Sequence, residues 1–381
     1  MIQVYGRFDG WWSHAQVSRG IVEGLHTNGV RLRVFNVAAA QQPWAVDPAQ
    51  QNYEGLPDDI EIGCDPEARV GFYVGGYPPM MDPWLDGHEV KVALFITESS
   101  TIPPEWGLMA QKCDLVIVPS AWVAAAYARA GVNKERLLVV QHGLHPIYRK
   151  PREPRPPLFD GMGGQLRRLV LGHVCGALSF PERKGLPQLV EAFKRVFKPS
   201  EAKLVLRTAW SHEVAAAVGG PAAIKDGWLE IDRTVEPTTA MSPQEMRRWL
   251  SGLDALVQPS RAEAFGMVPL EARALGVPVM LTAGTGHREH LCLDDVIVPV
   301  GEDGPIVVNG IPNGTAPTLR VEDVVEGLQT LRERLRLPEL LEPGGYYEGW
   351  SWPTVTRELA RTLKKLCVRG GGRTLEEKVG F

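Results

Sequence analysis

Two glutamates eight positions apart, Glu263 and Glu271, stand in the stretch PSRAEAFGMVPLEARALGVPVMLTAGTGHRE from Pro259 to Glu289. Glu263 lies in a short loop after the apolar run Ala255 to Val257, and Glu271 falls inside a segment that reads as a helix, so both carboxylates can face one cleft. Between them Gly266 permits close backbone approach, and Pro269 suits a first helical turn, which has no use for its missing N–H. A helix that starts this way aims free backbone N–H groups at an anion. Phosphate is the obvious candidate, with a dipole contribution on the order of 0.3 to 1 kcal/mol. Carboxylates beside a phosphate would repel it, so they are better placed to accept hydrogen bonds from sugar and ribose hydroxyls. That combination describes a site for a sugar nucleotide.

The run Pro259-Ser260, Glu263, Phe265-Gly266, Pro269-Leu270-Glu271-Ala272 and Gly276-Val277-Pro278-Val279 resembles the donor-site motif of the retaining GT-B glycosyltransferases, glycosyltransferase family 4, also described as glycosyl transferases group 1. The resemblance implies an α/β protein of GT-B fold, two Rossmann-like domains whose parallel sheets face each other across a cleft. It implies that Glu263 holds donor-sugar hydroxyls, that Glu271 holds the ribose, and that the backbone of Ala264, Phe265, Gly266, Met267 and Val268 holds the diphosphate together with Lys184. Lys184-Gly185 resembles the family's Lys-Gly, whose cation neutralises charge on the departing nucleotide. Many members carry an arginine after the glycine that corresponds to Gly176, where this chain has Ala177; Arg183 either supplies that guanidinium or faces solvent. Arg207, at the end of the strand-like Leu204 to Leu206, is a candidate for a third polar contact to the nucleotide. Gly284 to Glu289 resembles a glycine-rich turn whose trailing glutamate sits near the donor sugar, the alternative for Glu289 being a cap or an ion pair with Arg288.

The elements that must position these residues follow from periodicity. Ile2 to Tyr5 reads as a strand, a loop carries Gly10, Ser13 and His14, and Val17, Ile21, Val22 and Leu25 recur at helical spacing before an Asn28-Gly29 stop. Val30 to Val34 is strand-like again, which makes a Rossmann-like opening without a strict GxGxxG. In the resembling family this first loop borders the acceptor, so Gly10, Ser13 and His14 are acceptor-side candidates, although Ser and His before a helix also serve as caps. Val70 to Val74 and Val90 to Ile96 are further strands, the second running into Thr97-Glu98-Ser99-Ser100. Glu98 is thus either an acceptor-side group at a strand's carboxyl end or a cap for the helix beginning near Glu105. Trp11, Trp12, Trp44, Trp84 and Trp106 fall in or near loops, where indoles stack on sugars and bases or plug a surface.

Leu115 to Val132 and Ala255 to Val279 share a plan of strand, Pro-Ser, helix and Gly-Val, so the halves read as related Rossmann-like units, of which only the second carries the glutamate pair. His142-Gly143-Leu144-His145-Pro146 resembles the family's His-Gly-Val-Asp-Pro, with His145 in place of the acid. The expected division is an acceptor-binding domain over 1–150, a Pro- and Arg-rich linker over 151–168, a nucleotide-sugar domain over 169–345, and 346–381 as a helix returning to the first domain plus a loose tail.

With 381 residues, this chain is too long for one ordinary core. Its formal charge is −4, and the first 150 residues carry 12 Lys+Arg against 16 Asp+Glu, which speaks against a polyanionic partner. Five scattered cysteines without a CxxC pair read as reduced thiols of a cytoplasmic protein. No leader is read at the N-terminus, and no apolar run reaches the roughly 18 residues needed to span a bilayer.

The reading is a retaining transferase that uses a UDP- or GDP-sugar, with Glu263, Lys184, Glu98 and His14 as the catalytic set. The expected acceptor is a saccharide or lipid-linked glycan, with a small metabolite or a hydroxylated nucleobase in DNA as alternatives. Lacking an Asp-x-Asp motif or a Cys/His ligand cluster, the chain is expected to need no metal and no cofactor beyond the donor. A GT-B nucleotide-sugar epimerase and a non-catalytic nucleotide-sugar-binding subunit are the rival readings.

Overall fold

Continuous apolar runs mark the strands of both halves: Ile2–Gly6 is buried along its whole length, as a parallel strand covered on both faces requires. The structure, a computed structural model, describes residues 1–8, 10–11, 13–37, 53, 55–150, 152, 167–175, 181–208, 212–220, 226–232, 241–308, 311–336 and 346–368. Most of the expected linker, Gly176 and Ala177, Trp12, Trp44 and the tail beyond 368 lie outside the described residues. The chain forms two units, one of Met1–His145 with Glu348–Phe381, the other of Pro146–Tyr347.

The strands of the first unit are β1 (Ile2–Gly6), β2 (Leu32–Asn36), β3 (Glu61–Ile62), β4 (Val70–Gly76), β5 (Val90–Phe95), β6 (Leu115–Val118) and β7 (Leu137–Val139). They form one parallel sheet in the order β3-β2-β1-β4-β5-β6-β7. In the second unit β8 (Leu169–Val174), β9 (Ala202–Arg207), β10 (Leu229–Ile231), β11 (Ala255–Gln258), β12 (Val279–Thr282) and β13 (Val296–Val298) form a parallel sheet in the order β10-β9-β8-β11-β12-β13. Both orders reverse direction after their third strand, the doubly wound pattern in which ligands bind beyond the strand ends at the reversal. That point lies between β1 and β4 in one unit and between β8 and β11 in the other.

This topology corrects one sequence expectation. The Pro-Ser stretches do not occupy equivalent places, because β11 lies beside the first strand of its sheet while β6 is separated from β1 by β4 and β5. Ser120 after β6 caps the Ala121–Arg129 helix, accepting from the Val123 N–H at 3.3 Å. The halves share a strand order, which the local echo only mimicked. The sequence reading also missed the antiparallel hairpin of Asp303–Val308 and Ile311–Pro317.

The core of the second unit gathers Leu171, Leu189, Phe193, Leu204, Val257 and Leu328, so the amphipathic Leu186–Val196 and Val321–Arg334 helices cover the same sheet. In the first unit the final segments, Trp352–Val355 and Arg357–Val368, pack on the Ser13–Thr27 helix. Glycines make room for the buried Trp352 ring: a Cβ at Gly20 would lie 1.9 Å from Cε2, and one at Gly143 would lie 2.8 Å from the ring. Among the described residues no helix is long and apolar enough to cross a membrane. Gly20→Ala must displace this indole from a closed core, and an overpacking cost of about 2 kcal/mol or more follows, read as a lower midpoint in urea unfolding.

Candidate functional site

At the reversal point of the second sheet, β8 and β11 part after Gly172 and Leu256, where their paired register stops. The side chain of Gln258 takes over the ladder: its Oε1 accepts from the Val174 N–H at 3.1 Å and its Nε2 donates to the Val174 carbonyl at 2.9 Å. His173 makes a second bridge, its Nδ1 donating to the Val257 carbonyl at 2.8 Å, which leaves Nε2 as a buried lone pair without a partner. The strand ends are thus held apart by polar side chains.

Two loops leave this gap. From the β8 side comes Pro181 to Gly185, ending in a left-handed turn at Gly185 (φ 69°), where a Cβ would strike the Pro259 carbonyl at 2.2 Å. From the β11 side comes Pro259 to Gly266. Lys184 Nζ donates to Glu263 Oε1 at 2.5 Å, and Arg183 Nη1 lies 3.7 Å from Glu263 Oε2 while donating to the Ala262 carbonyl at 2.8 Å. Arg261 holds the same two loops together, bonded to Glu182 at 2.6 Å and to the Pro317 carbonyl at 2.9 Å. Burial would raise the Glu263 carboxyl, but Lys184, Arg183 and His287 outweigh it and hold it at about 2, so Glu263 is an anion and a weak base. Both Arg183 and Glu263 are buried, so Arg183 does not face solvent.

Gly266 (φ 89°) precedes the Met267–Ala274 helix, whose first N–H groups have no intrahelical acceptor. A Cβ at Gly266 would lie 2.3 Å from the His287 ring, so only glycine fits. Ala264 and Phe265 are buried, and Met267 and Val268 are half-buried at the helix start. Glu271 lies one turn further in, buried against the Tyr148 hydroxyl, and burial pushes its carboxyl up to about 8 with the tyrosine partly opposing. Tyr148 belongs to the short Pro146–Arg149 helix.

The glycine-rich turn, Gly286–His290, packs on this loop: Gly286 N–H donates to the Glu263 carbonyl at 2.9 Å. His287 Nδ1 lies 3.2 Å from the Thr282 carbonyl and so carries the proton, leaving Nε2 an unpartnered buried lone pair; burial lowers the ring to about 4. Glu289 is half-buried in the turn and Arg288 is exposed. Arg207 ends β9 with its guanidinium 4.0 Å from Asp232.

In the first unit His14 opens the Ser13–Thr27 helix beyond β1 and meets Tyr77, beyond β4, edge-on at 5.7 Å. Burial lowers the His14 ring, and Glu98 opposes that shift, so these two sit at one sheet end. The Pro104–Ala110 helix begins at Pro103 as its N-cap, without a side-chain cap bond. Ser13 is exposed, and Gly10 (φ 62°) turns its carbonyl to Arg19 Nη1 at 2.7 Å. Of the tryptophans, Trp84 is core, packed on Tyr5 at 5.6 Å, Trp11 lies 4.5 Å from the Arg19 guanidinium, and Trp106 lies 5.4 Å from Tyr77. Among the described residues no three His, Cys, Asp or Glu side chains are grouped as metal ligands.

Sequence reasoning missed Gln258, His173, Tyr148, His287 and His290. His173 carried a signal, a polar residue near the carboxyl end of an otherwise apolar strand; Tyr148, distant in the chain from Glu271, carried none.

Residues 170–315 match the family described as Glycosyl transferases group 1. The D-inositol 3-phosphate glycosyltransferase of Paenarthrobacter aurescens is 34% identical over 93 residues, 24% of this chain and 21% of that protein. The aligned stretch thus spans about a fifth of that relative's length. Among solved structures, Anabaena HepE in complex with UDP and glucose is similar over 95% of this chain and 99% of its own, at 13% identity and a TM-score of 0.62. Sucrose-phosphate synthase from Thermosynechococcus elongatus is similar over 96% and 98%, at 13% identity and a TM-score of 0.64. The fold is therefore the GT-B fold, two parallel-sheet α/β domains.

The raised Glu271 carboxyl has a consequence for stability. A carboxyl near 8 in the folded chain and near 4.5 when unfolded keeps its proton longer in the native state, so its contribution is full below about 4.5 and is lost as the pH rises through 8. Glu271→Gln keeps the shape of the side chain without its charge; its stability relative to the wild type is expected to be unchanged at pH 4 and to rise by on the order of a few kcal/mol at pH 8, read by urea unfolding at each pH.

Proposed function

We propose that this protein is a glycosyltransferase that moves a sugar from a UDP- or GDP-sugar to an acceptor hydroxyl with retention of anomeric configuration. The observation that carries this reading is the pair of the half-buried Lys184 with the buried Glu263, set between the ends of β8 and β11 beside the start of the Met267–Ala274 helix. A cation, free N–H groups and a carboxylate of low basicity are what a diphosphate joined to a polyhydroxylated ring requires. Support comes from the match of this region to glycosyl transferases group 1, and from the UDP and glucose in the complex of Anabaena HepE.

In this scheme Lys184, Arg183 and the N–H groups of Gly266, Met267 and Val268 take the diphosphate, with Phe265 and Ala264 forming the wall beneath. Glu263 accepts from donor-sugar hydroxyls, and Glu289 lies on the turn beside it. Glu271 accepts from the ribose, shedding the proton it carries in the free protein, and Arg207 serves the nucleotide. The bond between the sugar C1 and the diphosphate oxygen breaks with its electron pair leaving on the diphosphate, where Lys184 stabilises the charge. The acceptor oxygen attacks C1 on the same face, and its proton passes to the departing phosphate oxygen. No enzyme nucleophile is needed, and Glu263, held ionised by Lys184, is a weak one.

The acceptor is assigned to the first unit, at Gly10, Ser13, His14 and Glu98, with a saccharide or lipid-linked glycan as its class. Donor phosphate charge is carried by side chains and helix N–H groups, so no metal or further cofactor is part of the reading, and its setting is the cytoplasm.

Nucleotide release from a panel of UDP-, GDP- and ADP-sugars, with and without pooled acceptors, tests the proposal. Release that rises with acceptor, survives EDTA, and falls at least about 100-fold in Glu271→Ala and in Lys184→Met is the expected result. A sugar nucleotide altered without acceptor while keeping its nucleotide would instead make this an isomerase. Binding without turnover under every condition would make it a binding subunit.

A further inference from the structure

Behind the donor loop runs a chain of four buried groups that none of the proposed contacts uses. Asp295 receives Arg273 in a two-pronged ion pair, Nε to Oδ1 and Nη2 to Oδ2, both at 2.7 Å. Arg273 Nη1 lies 2.7 Å from His290 Nδ1, and His290 Nε2 lies 2.9 Å from the Phe265 carbonyl oxygen. A guanidinium only donates and a carbonyl only accepts, so the tautomer of His290 is fixed: Nδ1 accepts from Arg273 and Nε2–H donates to Phe265. From the Arg273 guanidinium two bonds run to Asp295, and on the other side donation runs through His290 to the peptide that joins Phe265 to Gly266. Arg273, Asp295 and His290 are all buried, and the His290 ring also packs edge-on against Phe265 at 4.9 Å.

That peptide is the hinge of the phosphate-facing backbone. Its carbonyl points back to His290, so its N–H, on Gly266, points the opposite way. Gly266 has a left-handed conformation that few restraints hold, since a glycine has no side chain to pack. We infer that His290 is a positioning residue for donor binding: by fixing the Phe265 carbonyl it sets the direction of the Gly266 N–H and of the helix start that follows, and Asp295 through Arg273 keeps the imidazole in the tautomer that can do this. The inference rests on the donor-site reading above and concerns the affinity for the nucleoside diphosphate, since His290 itself touches no ligand.

Titration calorimetry with UDP, GDP and ADP on wild type, His290→Gln and His290→Leu tests it. Glutamine can donate to Phe265 through its amide and accept from Arg273 at its oxygen, and is expected to bind within about threefold of wild type. Leucine fills the space but makes neither bond, and is expected to bind about ten- to a hundredfold more weakly while its circular dichroism stays native. Should His290→Leu fail to fold, Asp295→Asn carries the same comparison, because it keeps an oxygen for the Cys292 N–H, now 2.7 Å from Asp295 Oδ2, and loses the charge that holds Arg273. Wild-type affinity in a folded His290→Leu, or equal losses in the leucine and glutamine variants, overturns the inference alone. Absence of binding in the wild type overturns the donor-site reading and the inference with it.

Discussion

The ion pair between Lys184 and Glu263 is the constraint on which the second unit's site depends. Desolvation of the buried carboxylate opposes the pair, and removing Lys184 would leave Glu263 with only the more distant Arg183 guanidinium as a cation among the described residues. The surrounding structure is arranged to keep them together. The left-handed turn at Gly185 brings Lys184 against the Pro259 loop, Arg261 ties the two loops to one another, and Gln258 and His173 hold open the strand ends beneath them. In the proposed function a ligand exchanges with this pair, a diphosphate for Lys184 and hydroxyl groups for Glu263.

Burial gives the two glutamates of the motif opposite states. Glu263 has cations beside it and stays ionised at any ordinary pH, whereas Glu271 is buried near Tyr148, with no such cation beside it among the described residues, and keeps its proton up to about 8. Identical side chains eight positions apart therefore differ by their neighbours alone, and those neighbours come from distant parts of the chain: residue 184 for one, residue 148 for the other. This difference also explains why the two are proposed for different hydroxyls, one beside the phosphates and one further along the helix.

Much of the fold was legible in the sequence because unbroken apolar runs and helical periodicity dominate it: the strands at Ile2, Val70, Val90, Leu115, Leu169 and Ala255 are where patterning put them, while the GT-B class came from the resemblance of the glutamate motif. The glutamate motif and Lys184 were legible as a resemblance, and the structure brings Lys184, Arg183 and Glu263 together while turning Arg207 toward Asp232. What patterning could not show was which strand neighbours which. Sheet order is a non-local property, so the Pro-Ser echo after β6 suggested an equivalence that the strand order denies. The buried histidines escaped for a similar reason, since His287 and His290 read as a polar turn and only tertiary packing gives them a loop to hold.

The most direct test of the exchange of partners at Lys184 and Glu263 is calorimetric affinity for a nucleoside diphosphate and for the matching nucleotide sugar, measured on wild type and Glu263→Gln. The account predicts that the variant binds the nucleoside diphosphate at least as well as wild type, because Lys184 is released from its carboxylate, and loses the added affinity that the sugar confers. Equal weakening toward both ligands would contradict it, and would reduce the ion pair to a structural contact.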